Sequence, residues 1–382
     1  ALNYGAQVWL SVNDGKLADA IMTAALEVAE GKFDHAFVVD LFQTGSGTST
    51  NMNMNEVIAC RANELLTGTK DAKTPVHPND HVNLGQSSND VFPTAIHVAA
   101  VEALRKAVIP AVTRLRDALD GKARAYGDVV KIGRTHLQDA VPITLGDEFG
   151  GYARQIELAR ERIQAVAPRL QELALGGTAV GSGLNTHPQF AGRVIARLAA
   201  ETEIPWREAA NHYQAQAAQD TAVELSGALK ALAAALVKIA NDLRWLASGP
   251  RCGLGEINLP ALQPGSSIMP GKVNPVIPEM LIQVAAQVVG NDATITLAGT
   301  GGNFELNVML PVIAFNLLQS IELLGNACRT ATEKCIRDIS ANPDKCAAYI
   351  EQSLALVTGF VPHIGYDRAA ELAYEAYRSG RT

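Results

Sequence analysis

Residues 263–275 (QPGSSIMPGKVNP) bring together side chains that could bind an anion and move a proton beside it. Three prolines and two glycines exclude a continuous helix or strand, so this stretch is predicted to be a loop between two long helical patterns. It offers adjacent hydroxyls at Ser266 and Ser267, a cation at Lys272 and an amide at Asn274. The set suits a carboxylate ligand and proton transfer. The alternative is an ordinary connector made of turn residues.

Two further polar loops lie earlier in the chain, and each precedes an apolar helical pattern. The first, residues 43–56, is punctuated by glycine and runs into a helix predicted to begin near Asn51. Its short side chains could cap that helix, or its free backbone N–H groups could bind an anion. The second, residues 77–90, precedes a helix predicted to hold Pro93 in its first turn and to bend at Pro110.

The third polar segment, residues 133–139, contains a threonine followed by a histidine. It is predicted to be a loop that leads into a helix over about 148–173. His136 could therefore act in a site with Thr135, or it could be a histidine with a purely structural role. The glycine-rich stretch 176–183 lacks both the preceding strand and the lysine of a phosphate-binding loop, so it is predicted to be a tight connection between helices.

Apolar periodicity predicts an all-α fold. The strongest pattern, over 218–246, alternates steps of four and three: Leu225, Leu229, Leu232, Leu236, Ile239, Leu243 and Leu246. This heptad seam is typical of a helix that packs along its neighbours at a shallow angle. Residues 277–298 and 310–328 repeat helical patterns, which indicates a long bundle whose surplus apolar surface joins several subunits. Prolines and glycines break residues 342–382 into short helical pieces.

Composition narrows the class of protein. The net charge of −7 argues against nucleic acid as the main partner and implies that an anionic substrate is held by local charge. The five cysteines form no CxxC or CxxH pair, which favours free thiols over disulfides or a zinc site. We find no run of about 18 apolar residues and no signal-like start, and therefore expect a soluble intracellular protein. The sequence contains no obvious metal-ligand cluster and no dinucleotide fingerprint.

Four ordered motifs carry a resemblance that spans essentially the whole chain. Residues 265–275 (GSSIMPGKVNP) resemble the signature of the fumarase/aspartase superfamily. Residues 44–48 (TGSGT) with 51–55 (NMNMN), 86–90 (QSSND) and 134–136 (RTH) resemble the class II fumarate hydratases in particular. The resemblance implies an all-helical protein of three domains, at 1–84, 85–342 and 343–382. It also implies a homotetramer whose central helices form a bundle, with active sites at which three subunits meet.

The activity implied by the resemblance is the reversible hydration of fumarate to (S)-malate in the tricarboxylic acid cycle, without a metal or another cofactor. The implied location is the cytoplasm, or the mitochondrial matrix in a eukaryote. Ser266 matches the catalytic base of the family, His136 the histidine that works with an activated water, and Glu279 the carboxylate paired with it. The matching substrate-binding residues are Ser46, Thr48, Asn51, Ser87, Ser88, Asn89, Thr135, Lys272 and Asn274. His77, Asn79 and Asp80 match a second dicarboxylate site.

These residue types suit the implied chemistry. Removing a proton next to a carboxylate leaves a carbanion that is stable only as an aci-carboxylate with a second negative charge, which Lys272 and nearby N–H groups could stabilise. The hydroxyl of Ser266 needs a closed loop and oriented dipoles to act as a base. Glu279 could orient the His136 ring and favour its charged form, or it could be a first-turn helix carboxylate that follows Pro278.

Some features depart from the family pattern, and two other functions remain open. The segment after Gly5–Gln7 is shorter than in the family, and the family's C-terminal domain usually continues past Thr382. We therefore expect either that the chain is trimmed or that the sequence contains only the ordered residues. Thr74 stands where some relatives carry a basic residue of the second site. An aspartate ammonia-lyase shares the loop 263–275 but tends to have Thr-Gln in place of Thr135–His136. A non-catalytic structural homologue is the other alternative.

Overall fold

The computed structural model describes residues 15–381, and the predictions for the Gly5–Gln7 segment lie outside these residues. The structure is mostly helical, as the sequence predicts. The α-helices are α1 Gly15–Ala29, α2 Thr48–Thr67, α3 Ser88–Ala103, α4 Ile109–Ala125, α5 Leu145–Leu170, α6 Phe190–Thr202, α7 His212–Ala217, α8 Asp220–Leu246, α9 Val276–Gly299, α10 Leu310–Lys334, α11 Pro343–Gln352, α12 Val361–Ile364 and α13 Tyr366–Ser379.

Short strands accompany the helices, and the sequence pattern does not predict them. Strand β1 (Val130–Thr135) pairs antiparallel with β2 (Gln138–Thr144) in a hairpin. Six strands of two residues each form three further pairs: β3 Glu172–Leu173, β4 Arg207–Glu208, β5 Ile257–Asn258, β6 Gly302–Asn303, β7 Leu306–Asn307 and β8 Ser340–Ala341. The hairpin replaces part of the loop predicted over 133–139, so α5 begins at Leu145 rather than near residue 148.

The chain folds into two compact units. Unit 1 comprises residues up to 106 together with 162–230 and 288–322, and unit 2 comprises 107–161, 231–287 and the chain from 323 onward. Helices α5, α8, α9 and α10 each contribute residues to both units, because their ranges cross these limits. The three domain boundaries expected from the family resemblance stay a prediction.

Apolar burial accounts for the long helices. All seven members of the α8 seam, from Leu225 to Leu246, are at most 4% exposed, which confirms the predicted buried face. On α10 the apolar residues Leu310, Leu317, Ile321, Leu324 and Cys328 are buried in the same way. Each buried leucine or isoleucine contributes roughly 1.5–3 kcal/mol by leaving water, so these stripes fix which side of each helix faces inward.

The two prolines near α3 have different effects on the helix. Pro93 lies inside α3, which begins at Ser88, so the prediction that it occupies the first turn is wrong. Pro110 does interrupt the helix, as predicted: residues 104–108 adopt a π-helical turn before α4 starts at Ile109. A proline has no N–H for the carbonyl one turn earlier, and a local change of helical pitch accommodates that loss.

Helices α9 and α10 are unusually apolar. On α9 the apolar residues continue onto the exposed side, where Val289 is 47% and Leu297 70% exposed. The segment Leu310–Asp338 is long and apolar enough to cross a membrane by length and composition alone, contrary to our expectation that no such segment exists. Half of its most apolar window is buried within the fold, and core helices of soluble proteins pass the same test.

The C-terminal segment is helical and broken, as predicted. Helices α11 to α13 are short, and Gly365, with φ of +81°, ends α12 before α13 begins. Helix α11 packs against β1, and the 3-10 segment Leu354–Phe360 packs against β2. All five cysteines are free thiols, of which Cys252 is exposed and Cys328, Cys335 and Cys346 are buried. Burial raises the pKa of the Cys328 thiol to about 12, so the neutral thiol is strongly favoured there.

Candidate active site

In unit 1, three predicted substrate-binding hydroxyls form a continuous chain. Ser46 Oγ lies 2.7 Å from Thr48 Oγ1, and Thr48 Oγ1 lies 2.7 Å from Ser88 Oγ. Thr48 is the first residue of α2 and Ser88 the first of α3, so two helix N-termini meet at this chain. The positive dipole ends of the two helices favour an anion at this position.

Two glycines allow this close approach. Gly47 adopts φ of +74° ahead of α2, and a Cβ there would lie 2.2 Å from the Phe92 ring. A Cβ on Gly45 would lie 1.7 Å from the carbonyl oxygen of Val308, and the Gly45 carbonyl accepts a hydrogen bond from Leu310 N at 2.9 Å. The segment that carries Ser46 is therefore held against the start of α10, and side chains larger than glycine do not fit.

The other predicted unit 1 residues are partly committed to local structure. Ser87 caps α3 in a capping box with Asp90. Asn89 Nδ2 donates to the carbonyl of Ala179 at 2.8 Å. Asn51 Nδ2 donates to Asn83 Oδ1 at 3.2 Å, and Asn55 donates to the same oxygen at 3.0 Å. The amides of Asn51 and Asn89 thus have fixed orientations, and their own carbonyl oxygens are left for another partner.

The residues predicted to form a second dicarboxylate site lie together on one turn. The π-helical turn Pro78–Val82 follows His77, whose Nδ1 accepts hydrogen bonds from Asn79 N and Asp80 N, both at 3.2 Å. A nitrogen that accepts these N–H groups carries no proton. The 3.3 Å approach of Asp80 Oδ2 to the same nitrogen is therefore not an ion pair in this arrangement.

In unit 2, the loop 263–275 closes on itself. Gly265 N donates to the Lys272 carbonyl at 2.8 Å, and Asn274 Nδ2 donates to the Gly265 carbonyl at 2.7 Å. Ser266 Oγ accepts hydrogen bonds from Ile268 N at 3.2 Å and from Met269 N at 3.1 Å. The loop thus holds the Ser266 oxygen against two backbone donors, which favour negative charge on that oxygen.

His136 lies at the tip of the β1–β2 hairpin rather than in an irregular loop. Thr135 pairs with Gln138, and the two residues between them, His136 and Leu137, adopt φ of +56° and +60°. This left-handed pair makes a tight two-residue turn whose twist matches that of the strands. Thr135 and His136 are exposed at the tip, where they are free to contact a ligand or another chain.

A buried charge cluster, which the sequence analysis missed, lies beneath this hairpin. Lys131 Nζ is 2.9 Å from Glu148 Oε1 and 3.2 Å from Glu256 Oε2, and Arg134 Nη1 is 2.9 Å from Glu256 Oε1. The Lys131–Glu256 and Arg134–Glu256 contacts are ion pairs without a hydrogen bond, because neither Glu256 oxygen meets hydrogen-bond geometry. Burial raises the pKa of Glu148, and the Lys131 cation limits the rise. The cluster fixes β1, which ends in Thr135. The one sequence signal is a lysine inside an apolar strand.

Glu279 occupies the first turn of α9, where its backbone N donates to the Pro275 carbonyl at 3.1 Å. Between residues 15 and 381 of a single chain, its carboxylate makes no hydrogen bond or ion pair with His136. In unit 2, Ser266, Lys272 and Asn274 therefore lie on one loop. Thr135 and His136 lie on the hairpin. The pairing of His136 with Glu279 stays a prediction.

Asp90 is a second residue that the sequence analysis missed. Its side chain is fully buried, and it accepts hydrogen bonds from the backbone N–H groups of Ser87, Gly176 and Thr178. Burial raises the pKa of Asp90 to about 6, while the three donors act in the opposite direction. The capping-box spacing of Ser87 and Asp90 was a usable signal for its cap, but not for its contacts with residues 176–178.

Comparisons with known proteins agree with one another. A family model described as a lyase matches residues 5–290. The class II fumarate hydratase of Nitrosomonas europaea is 55% identical over 368 residues, which are 96% of this chain and 80% of that protein. The mitochondrial fumarate hydratase of Homo sapiens is 54% identical over 97% of this chain and 72% of its own length. The crystal structure of recombinant class II fumarase from Schistosoma mansoni matches with a TM-score of 0.94 and 42% identity, over 100% of this chain and 83% of that one.

Proposed function

Because this chain belongs to the class II fumarate hydratases, a lyase family of the fumarase/aspartase superfamily, we propose that it catalyses the reversible hydration of fumarate to (S)-malate. The observation that carries the proposal is a sequence identity above one half over nearly the whole chain. The product and the place of the reaction in the tricarboxylic acid cycle follow from this activity. We place the protein in the cytoplasm, or in the mitochondrial matrix of a eukaryote.

The unit 1 hydroxyl chain supports a role in binding one substrate carboxylate. Ser46, Thr48 and Ser88 offer hydroxyl donors where two helices begin, and the dipoles of α2 and α3 add positive potential. This local charge is needed because the protein as a whole is negative, at −7. Asn51, Ser87, Asn89 and Thr135 complete the proposed binding set. Lys272 and Asn274 bind the other carboxylate.

In the dehydration direction, we assign the first step to Ser266. Its alkoxide takes the proton from the carbon beside one carboxylate, and the electron pair moves into that carboxylate to give an aci-carboxylate dianion. The two N–H donors at Ser266 Oγ stabilise the alkoxide, and the Lys272 cation stabilises the dianion more than the ground state. The C–O bond then breaks, and His136 delivers a proton to the departing hydroxide, which leaves as water.

We propose that four chains assemble and that three of them contribute to each site. Helix α9 supports this, because Val289 and Leu297 are apolar, exposed and on the same helix as the exposed small residues Ala286, Gly290 and Ala293. Exposed apolar and small side chains on a long helix are typical of a surface that packs against another chain. Assembly also gives Glu279 a route to the His136 of another chain. His77, Asn79 and Asp80 form the proposed second dicarboxylate site.

One absorbance assay separates hydratase activity from the two alternatives. The ultraviolet absorbance of fumarate is followed with and without ammonium. Loss of fumarate without ammonium is the expected result. Loss that requires ammonium identifies an aspartate ammonia-lyase, and no loss under either condition identifies a non-catalytic homologue. The Thr135–His136 pair favours the hydratase, since ammonia-lyases tend to carry Thr-Gln at this place.

Ser266→Ala tests the assignment of the base. We expect kcat to fall by about a thousandfold or more, while sedimentation shows an unchanged assembly, because the loop keeps its Gly265–Lys272 and Gly265–Asn274 hydrogen bonds. Ser267→Ala is the matched variant one residue away. A larger loss in Ser267→Ala than in Ser266→Ala would transfer the role of base to Ser267.

A further inference from the structure

The glycine-rich turn 176–183 folds around a single buried carboxylate. Asp90 Oδ2 accepts hydrogen bonds from Gly176 N at 3.0 Å and from Thr178 N at 2.9 Å. Its other oxygen accepts Ser87 N at 3.1 Å, at the start of α3. One side chain with no exposed surface thus joins the N-terminus of α3 to a turn almost ninety positions further along the chain.

The turn is built for close contact rather than for flexibility. Gly176 adopts φ of +102°, and a Cβ on Gly177 would lie 2.1 Å from Gln216 Oε1. Thr178 adopts φ of +54°, an uncommon conformation for a β-branched residue, and one that persists only where neighbouring contacts enforce it. Those contacts are the Asp90 carboxylate on the Thr178 N–H and Gln216 Nε2, which donates to the Thr178 carbonyl at 2.8 Å.

The next residue of the turn contacts a proposed substrate-binding side chain. The carbonyl of Ala179 accepts a hydrogen bond from Asn89 Nδ2 at 2.8 Å. This bond fixes which end of the Asn89 amide points toward the turn, and it leaves the carbonyl oxygen and the second N–H for a ligand. Asp90 itself is buried and cannot touch a substrate. Any effect it has on substrate must therefore pass through its neighbours.

We propose that Asp90 and the glycine-rich turn 176–183 form a positioning device that holds the Asn89 amide in the orientation needed to bind the dicarboxylate substrate. Asp90 fixes the backbone of Gly176 and Thr178, the turn places the Ala179 carbonyl, and that carbonyl orients Asn89. This role rests on the proposed function. It assigns a function to a turn that the sequence analysis interprets only as a connection.

Asp90→Asn tests the device with little change in shape. The nitrogen of the new amide cannot accept a hydrogen bond, so it breaks either the Ser87 N–H bond or both bonds from the turn. Where the turn keeps its two bonds, they go to a neutral amide oxygen, which accepts more weakly than a carboxylate, so the anchor of the turn is weakened in both orientations. We expect the KM for fumarate to rise about ten- to a hundredfold, as for one lost hydrogen bond to a charged ligand. The kcat should change less than about threefold, because Asn89 binds ground state and transition state alike.

Asp292→Asn is the matched control. Asp292 is also a buried carboxylate of unit 1, 5% exposed, and it accepts a hydrogen bond from Ser226 Oγ at 2.8 Å, but it does not contact the turn. A merely structural role for Asp90 predicts that both substitutions lower stability and leave KM unchanged. That result would overturn the proposal.

A double-mutant cycle with Asn89→Ala tests the route. If Asp90 acts through Asn89, the Asp90→Asn substitution should raise KM less than about threefold in the Asn89→Ala background. An equal rise in both backgrounds would overturn the proposal. If Asp90→Asn does not fold, Gln216→Met decides, because it removes the other anchor of Thr178: a raised KM supports the device and an unchanged KM rejects it. A wild-type chain that does not hydrate fumarate would instead refute the proposed function.

Discussion

Neutralising Glu256 should destabilise the protein far more than neutralising a surface carboxylate. Glu256 has no exposed side-chain surface and lies within 3.2 Å of two cations, Lys131 and Arg134. After Glu256→Gln, Glu148 still neutralises Lys131, but Arg134, which is 14% exposed, has lost the carboxylate it faced. Breaking a buried ion pair from one side costs about 3–5 kcal/mol. We expect the low end, about 3 kcal/mol, because Arg134 is partly solvated and stacks on the Tyr349 ring.

Equilibrium urea unfolding, followed by circular dichroism at a fixed protein concentration, measures this loss. Glu224→Gln is the control, since the Arg169–Glu224 pair is 50% and 44% exposed and should contribute less than about 1 kcal/mol. Lys131→Met added to Glu256→Gln restores charge balance and should recover part of the stability. A loss in Glu256→Gln no larger than in Glu224→Gln would refute the reasoning that these charges depend on one another.

Three further predictions concern the tip of the hairpin, the loop before α2 and the buried Asp90. His136→Asn should lower kcat with little change in thermal stability, because asparagine tolerates φ of +56°, whereas His136→Val should lower both kcat and stability. Initial rates and thermal melts compare the two variants. A normal rate in His136→Asn would remove the histidine from the mechanism. Gly45→Ala should lower the free energy of unfolding in urea by about 1–3 kcal/mol, because its Cβ would overlap the Val308 carbonyl. Gly192→Ala is the control: its Cβ would meet no atom within 4 Å, so the substitution should be neutral or stabilising. Equal effects of the two substitutions would contradict the packing argument. Burial raises the pKa of Asp90 from 3.8 to about 6, so between these pH values the folded protein binds a proton that the unfolded chain has lost. The stability of the wild type relative to Asp90→Asn should therefore fall by at most about 3 kcal/mol as the pH rises from about 4 to above 6. A constant difference across urea titrations in this range would show that Asp90 does not titrate there.

The prediction of a loop at 133–139 is wrong, because His136 lies at the tip of a hairpin, while its role in the site stays a prediction. The motif at 134–136 selected the residue, but polar residues ahead of an apolar pattern predict a loop as readily as a hairpin. In the hairpin, Lys131 is buried against the carboxylates of Glu148 and Glu256, and neither neighbour can be predicted from the strand's own pattern. Local sequence records how a segment is exposed, and it does not record which distant groups neutralise a buried charge.

The sequence by itself determined the helical class, the buried face of α8, the closing of helices near glycine and proline, and the set of chemically capable residues. These features depend on periodicity and on backbone restrictions that act within a few residues. Only the tertiary structure decided that Ser46, Thr48 and Ser88 form one hydroxyl chain, that Asp90 holds the turn 176–183, and that Glu256 faces two cations. Hydrogen bonds and ion pairs between residues 40 to 125 positions apart depend on how the helices pack, and helix packing is a property of the whole fold.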